Sequence, residues 1–587
     1  MHQLRGSLQE PRDPFSPAGK PLESNPRFFF WCVVLVLGLL NVWARRNEVT
    51  PDSISYIEIG WAAARGGLHQ LGNAYWSPLY PLLLSLVFRF FHPAVQWDFT
   101  AAHLLNFLVY AAGFASFGFF QNELNLQREA VGELAGKYLP VPARTLWIWG
   151  NVFFLWASYY WLGLVWVTPD LCVAVIVYLA TALLLRIRGG RGNLLVFAGL
   201  GALLGLGYLA KAAMFPLAFV FLFSAFCLSR IASASFLAAT LRTLAAVAVF
   251  AGIALPLILA LTAAKGRATF GDSGRINYAE FVNRATRSVH WQGEPAGTGM
   301  PLHPSRKIFS DPDVFEFSTP VQGSYPPWYD PSYWYDGARP HFSVRNQAWA
   351  LFRASNMYLK IFSKSGALWA VLVAILVVRR KLLGWERISS GARLVFLPSL
   401  AALAMYSLVL VEFRYVAPFA LMLLMWMLSR MKIATGAGPL LVRRFHLVVI
   451  LAPAIAIGWA AGRDIYDVAR NKPYEPWIVA QRLHEMGISA GTDVGYIGTG
   501  LDAYWAHLAG VRIIVEIPDE QQSRFIGANA ARRQQVLTLF SSAGGKAVIT
   551  KNADAANSAD GWRPIPGTHH VIWQQQWHIA APEKNED

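Results

Sequence analysis

Residues Asn193–Leu228 read NLLVFAGLGALLGLGYLA, then a single Lys211, then AAMFPLAFVFLFSAFCL. Lys211 is the one charged side chain in the passage. On either side of it stands an apolar run close to the roughly 20 residues that a helix needs to cross a hydrocarbon core. The passage predicts two consecutive membrane spans, Asn193–Ala210 and Ala213–Leu228, with a cation between them.

The same reading extends along the chain. Phe28–Ala44, Ala101–Phe120, Leu146–Trp161, Pro169–Leu185, Leu244–Thr262, Gly366–Val378, Leu394–Val411, Val416–Leu428 and Leu447–Gly462 are further candidates, making about eleven spans by hydropathy. Composition agrees. Of 587 residues, 55% are apolar and 15% charged, where a soluble domain carries about 25% charged. This excludes a disordered chain, a fibrous repeat and an ordinary cytosolic enzyme. Cys32, Cys172 and Cys227 lie inside apolar runs and read as small buried hydrophobes. No Cys/His spacing suggests zinc.

The net charge of +16 invites a nucleic-acid reading, but its distribution argues otherwise. The short basic connections Arg186–Arg191, Arg379–Arg393 and Arg430–Arg444 fall on one side if the amino terminus is cytoplasmic. Most of the basic excess is therefore a topology signal, and no nucleic-acid partner is expected. Phe28–Ala44 follows a polar lead of 27 residues without a small-residue cleavage site after it, so it reads as a retained signal anchor.

The predicted organisation is a multi-pass protein of a plasma membrane. Residues 1–27 form a cytoplasmic tail, and residues 28–462 a transmembrane bundle. Its outer loops are 45–100 and 263–365. Residues 463–587 form a small soluble α/β domain outside. In that tail, Asp493–Gly498, Val511–Ile517 and Lys546–Thr550 read as strands, with helices at Glu475–Met486 and Ala528–Ser542. Gly498-Thr499-Gly500 lacks the context of a phosphate loop, and the tail is assigned no catalysis.

Two copies of Thr-Pro-Asp, ending at Asp52 and Asp170, open helices. Thr suits the N-cap and Pro the first helical position. Each aspartate then sits where the helix dipole favours a carboxylate. Helix-start acids are commonplace, but two of them at the outer membrane boundary also suggest function. Asp52 and Tyr56 share one face of an amphipathic helix, Ser53–Arg65, expected to lie on the membrane surface. A second surface helix, Leu79–Phe91, follows the turn Trp76-Ser77-Pro78. Lys211 and Arg414, the latter followed by Tyr415, are cations on the side where topology does not call for them. Snorkelling, or pairing of Arg414 with Glu412, is the bland reading. The functional one is a clamp for a phosphate, Arg bidentate and Lys a point charge.

Taken in order, Asp52 with Tyr56, Tyr75–Pro81, the Thr-Pro-Asp at Asp170, Lys211 and the Arg414-Tyr415…Pro418 segment resemble the GT-C superfamily. The similarity is to glycosyltransferases that use lipid-phosphate sugars, in the bacterial branch around the aminoarabinose transferases and protein O-mannosyltransferases (glycosyltransferase family 39-like). It covers most of Phe28–Leu428. It implies a polyprenyl-phosphate-linked sugar as donor, transfer on the outer face to a glycan, lipid or protein hydroxyl, and Asp52 as the essential first-loop carboxylate. Many relatives have Asp-Glu where this chain has Asp52-Ser53. The aminoarabinose branch has Glu-Lys-Pro where this chain has Trp76-Ser77-Pro78. Donor identity and a divalent metal therefore stay open.

The expected chemistry is a one-step inverting transfer. Asp52 is the general base, and Asp170 either tunes it or orients the acceptor. Lys211 and Arg414 stabilise the leaving phosphate, with Tyr56 and Tyr415 as further donors. In the long aromatic loop, Trp291, Trp328, Tyr333 and Trp334 are expected to hold sugar rings. His290, Glu294 and His303 are metal candidates without diagnostic spacing. A transporter or flippase for a lipid-linked sugar is the rival class, because membrane charges also mark transport paths. The position of these residues at helix ends and on long loops favours the enzyme. A scaffold presenting its tail leaves the clustered carboxylates and cations without a role.

Overall fold

The computed structural model describes residues 26–129, 138–232, 234–285, 289–302, 305–318, 321–385, 390–551 and 561–574. Most of the predicted tail 1–27 lies outside these residues. The protein is a helical membrane protein with a small sheet domain near its carboxy terminus. Each predicted span falls on a helix. Six helices are long and apolar enough to cross a membrane, and the bent pair Val344–Ser363 and Gly366–Arg379, meeting at 79°, adds a seventh if counted as one span. Leu194–Ala210 and Phe413–Ser429, 17 residues each, fall just short of that length. Both are bounded by charged residues, Lys211 at the end of one and Glu412 at the start of the other.

The helix Asp98–Glu129 separates the two ends of the bundle. At its start Asp98 meets His507 of the sheet domain at 3.2 Å. Near its end Glu123 pairs with Arg191, and Arg128 donates to the carbonyl of Ser429. At a rise of about 1.5 Å per residue, these ends stand more than 30 Å apart. At the Glu123 end, Tyr138–Pro140, Met431–Ala434 and Leu383–Trp385 pair as a three-stranded sheet. The three basic connections therefore gather together, as the charge pattern predicts.

At the other end the first loop folds inward. Thr50 caps the helix Pro51–Ala64, accepting from the amide of Ser53 at 3.2 Å. The helix is not laid on a surface as expected. Ile54, Tyr56, Ile57 and Ile59 are buried, and Ser55 donates to the carbonyl of Trp328 in the long loop. Gly60 permits close approach to the next helix, since a Cβ there would come within 2.9 Å of Leu84 Cβ. That helix, Leu79–Phe91, is the amphipathic one. Tyr80, Leu84 and Phe88 face inward, while Leu86, Phe90 and Phe91 are exposed apolar side chains suited to a lipid interface.

The seven-stranded sheet runs in the order Arg306–Phe309, Val314–Glu316, Arg512–Pro518, Asp493–Gly498, Val548–Thr550, Val571–Trp573 and Arg563–Pro564. Its three central members are parallel. The predicted tail strands are present. The first two strands, however, come from the long loop, so loop and tail build one sheet. The last membrane helix also runs past the expected boundary, from Pro439 to Arg470. It is tied to the first by Asn41 and Arg45, which bond Asp464 at 2.9 and 3.0 Å.

Candidate active site

Both Thr-Pro-Asp copies start helices as predicted and converge at the sheet-domain end of the bundle. Asp170 opens the helix Asp170–Arg186 and is buried, with Thr168 Oγ1 donating to its Oδ2 at 2.9 Å. Lys211 stands in the break between the helices Leu194–Ala210 and Met214–Ile231. Its ammonium donates to Asp170 Oδ1 at 2.6 Å and lies 3.3 Å from the centre of the Tyr415 ring. Arg414, in the first turn of Phe413–Ser429, donates to Asp52 Oδ2 at 2.7 Å and stands 3.6 Å from Asp170 Oδ2. The result is a chain of alternating charge: Lys211, Asp170, Arg414, Asp52.

Arg414 pairs with the two aspartates, and no salt bridge joins it to Glu412 among the described residues. Asp170 does not face Asp52 as a bare neighbouring carboxylate, because the guanidinium bridges them. With both oxygens engaged and 3% exposure, Asp170 positions the cations.

Two chambers meet at Asp52. The first, about 240 Å³, has Lys211, Asp170 and Tyr56 at its polar end, and Ala213, Pro216, Met405 and Val409 along an apolar wall. The second, about 540 Å³, runs between the long loop and the sheet domain. Asp52, Tyr75, Trp76, Asn277, Arg414 and Tyr415 line both. Burial, with Asp52 and Asp170 nearby, raises the Tyr56 phenol well above its ordinary value, so it stays a neutral donor. Burial also raises the carboxyl of Glu412, on the wall of the second chamber.

The aromatic expectations divide. Trp328 and Trp334 line the second chamber. Trp328 is fully buried, with its indole N–H donating to the carbonyl of Leu501 at 3.0 Å. Trp334 sets its edge against Tyr75 and Trp76. Trp291 and Tyr333 line neither chamber. Trp291 packs with Ile276, Ala279 and Tyr335 and donates to the carbonyl of Glu294, and Tyr333 is buried against Phe317. Both are packing residues of the long loop, because a Trp- and Tyr-rich segment of this length needs a core of its own.

Of the metal candidates, His290 is engaged by other side chains. His290 Nδ1 is engaged by Ser305 at 2.6 Å, and its Nε2 by Glu516. No three His, Cys, Asp or Glu side chains form a metal-holding group among the described residues. His303 lies outside them.

Sequence reasoning missed several wall residues. Asn277 accepts from Tyr75 Oη at 3.1 Å. Ser77 accepts from the amide of Ala212 at 3.1 Å, locking the Trp76-Ser77-Pro78 turn beside Lys211. The turn Gly498–Leu501 and Glu516 bring the sheet domain into the second chamber. Only the Trp-Ser-Pro turn carried a local signal. The others arrive by tertiary folding.

Fold and site thus define a membrane-embedded helical protein whose charged, two-chambered cleft opens beneath a sheet domain. No protein-family model matches the chain, and no curated protein matches it. Among solved structures it is similar to ArnT from Cupriavidus metallidurans bound to undecaprenyl phosphate, at 14% identity and TM-score 0.48, covering 96% of this chain and 100% of that one. It is also similar to the archaeal oligosaccharyltransferase AglB from Archaeoglobus fulgidus in complex with an inhibitory peptide and a dolichol-phosphate. There the identity is 13% and the TM-score 0.45, covering 89% of this chain and 69% of that chain.

Proposed function

We propose that the protein is an integral-membrane glycosyltransferase. It moves a sugar from a polyprenyl-phosphate-linked donor to an acceptor hydroxyl, on an envelope glycan, lipid or protein, at the outer face of a bacterial inner membrane. The observation that carries this reading is the placement of Asp52 where the two chambers meet, on the Arg414 guanidinium that also faces Asp170, the partner of Lys211. The GT-C resemblance of the ordered motifs supports it.

In this mechanism the lipid chain follows the apolar wall of the first chamber, and the donor phosphate lies against Lys211 and Arg414. The acceptor enters through the second chamber. Its hydroxyl oxygen attacks the anomeric carbon from the face opposite the phosphate, and Asp52 takes the hydroxyl proton. The bond from the anomeric carbon to the bridging oxygen breaks, and its electron pair stays on that oxygen. The configuration inverts, and a phosphodiester becomes a monoester with more negative charge. Fixed cations stabilise charge that grows in the transition state most effectively. Asp170 holds Lys211 and Arg414 in place for this, while Tyr56 and Tyr415 edge the phosphate.

Purified protein in lipid, given a polyprenyl-phosphate sugar and envelope acceptors, should release polyprenyl phosphate and form a glycosylated product. Movement of the intact lipid across the bilayer without cleavage would overturn the reading.

A further inference from the structure

The second chamber carries an excess of one sign of charge. Asp52, Glu280, Glu412, Glu516, Asp519 and Glu520 stand on its wall with Arg414 as the guanidinium and His290 as the imidazole. Arg414 faces Asp52 and Asp170, so the remaining acids outnumber the cations on this wall. Among the described residues no salt bridge engages Glu412, Asp519 or Glu520. An anionic acceptor, such as a phosphorylated sugar, would meet repulsion here.

Glu516 makes the wall more specific. It is 2% exposed, and its Oε1 accepts from His290 Nε2 and from Tyr325 Oη at 3.1 Å. The other ring nitrogen of His290 meets Ser305 Oγ at 2.6 Å, and Nε2 donates to Glu516 because a carboxylate can only accept. The second oxygen, Oε2, is buried and has no hydrogen-bond partner among the described residues. Gly500 packs against it and Tyr325, since a Cβ there would lie 2.6 Å from that oxygen and 2.5 Å from the Tyr325 hydroxyl. A buried acceptor without a donor is costly, and a ligand donor removes the cost. The indole N–H groups of Trp76 and Trp334 on the same wall are likewise unpartnered, available to hydroxyl oxygens.

We propose that this chamber receives an amine-bearing glycan as acceptor, with its ammonium directed at Glu516 and screened by Asp519 and Glu520. This rests on the reading that the lipid-phosphate donor occupies the first chamber. Carboxylates beside aromatic faces favour an ammonium group twice over, by charge and by cation–π attraction. A divalent cation fits less well, because the acids form no metal-holding group among the described residues. The sheet domain thereby supplies the acceptor's selectivity.

The test uses the full-length protein in lipid nanodiscs and calorimetric titration with a glucosamine trisaccharide and its fully N-acetylated counterpart. The aminated probe should bind at least tenfold more tightly. Glu516→Gln should bring its affinity close to that of the acetylated probe and leave the latter's unchanged. Asp519→Asn with Glu520→Gln, at exposed positions, should lower it several-fold without risk to folding. Equal binding of the two probes, preference for a phosphorylated sugar, or indifference to both sets of substitutions would overturn the proposal. Displacement of the probe by saturating polyprenyl-phosphate hexose would place the donor's sugar in this chamber and overturn the acceptor assignment. Amine selectivity that persists while polyprenyl phosphate fails to bind would support the amine site and remove the transfer reading alone.

Discussion

The guanidinium of Arg414 reaches the carboxylate of Asp52 at 2.7 Å across 362 residues of chain. The same group stands 3.6 Å from Asp170. One side chain therefore joins the boundary between the chambers to the buried Lys211–Asp170 pair.

Asp52→Asn keeps the shape of the boundary but removes the proton acceptor. Transfer should fall by on the order of 10²–10⁴, while expression and donor binding stay close to wild type. Release of polyprenyl phosphate in vesicles measures it, and wild-type turnover would remove Asp52 as the base.

Lys211→Ala leaves the buried Asp170 with only Thr168 and the more distant Arg414. Breaking a buried pair costs about 3–5 kcal/mol, and the lower end applies because the Lys211 side chain is 19% exposed. Donor affinity and the thermal midpoint should both drop. Replacing both partners, as Lys211→Met with Asp170→Leu, should recover much of the midpoint and none of the transfer. A double variant that transfers sugar would show that the pair has no chemical role.

His507 bonds Glu58 at 2.9 Å and Asp98 at 3.2 Å, joining the sheet domain to the bundle. These carboxylates raise its imidazole to about 10 despite burial, and the same contact lowers Glu58. A raised folded value means that the imidazolium's stabilisation is complete below about 6.5 and is lost as pH rises through about 10. The lowered Glu58 acts oppositely, its contribution complete above about 4.5 and lost as pH falls through its folded value. Thermal unfolding should peak between these limits and decline toward pH 10, and His507→Leu should flatten the alkaline limb. A midpoint that does not change between pH 7 and pH 10 would show that the contact adds no stability.

Topology is open to direct measurement. Reporter fusions at Arg188 and Lys546 should report opposite compartments, the first cytoplasmic and the second external. The same compartment for both would break the proposed orientation.

The spans and helix starts were legible because their signals are local. Apolar runs and Thr-Pro-Asp act through neighbours in sequence, and so Asp52, Asp170 and Lys211 could be singled out from residue type and position. What escaped was long-range pairing. Nothing near Val314 announces that this segment, itself paired with the strand at Arg306, joins a strand starting at Arg512. Nothing near Glu516 announces His290. The aromatic loop misled for a related reason: Trp291 and Trp328 are alike in sequence, and only packing decides which of them meets a cavity.

The shared sheet also sets an order in time. The loop strand Val314–Glu316 is made about 200 residues before Arg512–Pro518, the strand it joins, and a chain is synthesised from its amino terminus at a limited rate. Until Arg512–Pro518 is made, the two loop strands have only each other to pair with, and the second chamber has no far wall. Lys211, Arg414 and Asp52, with the first chamber around them, can be assembled earlier. A protein truncated before that strand would keep its charged groups and the first chamber while lacking the far wall of the second.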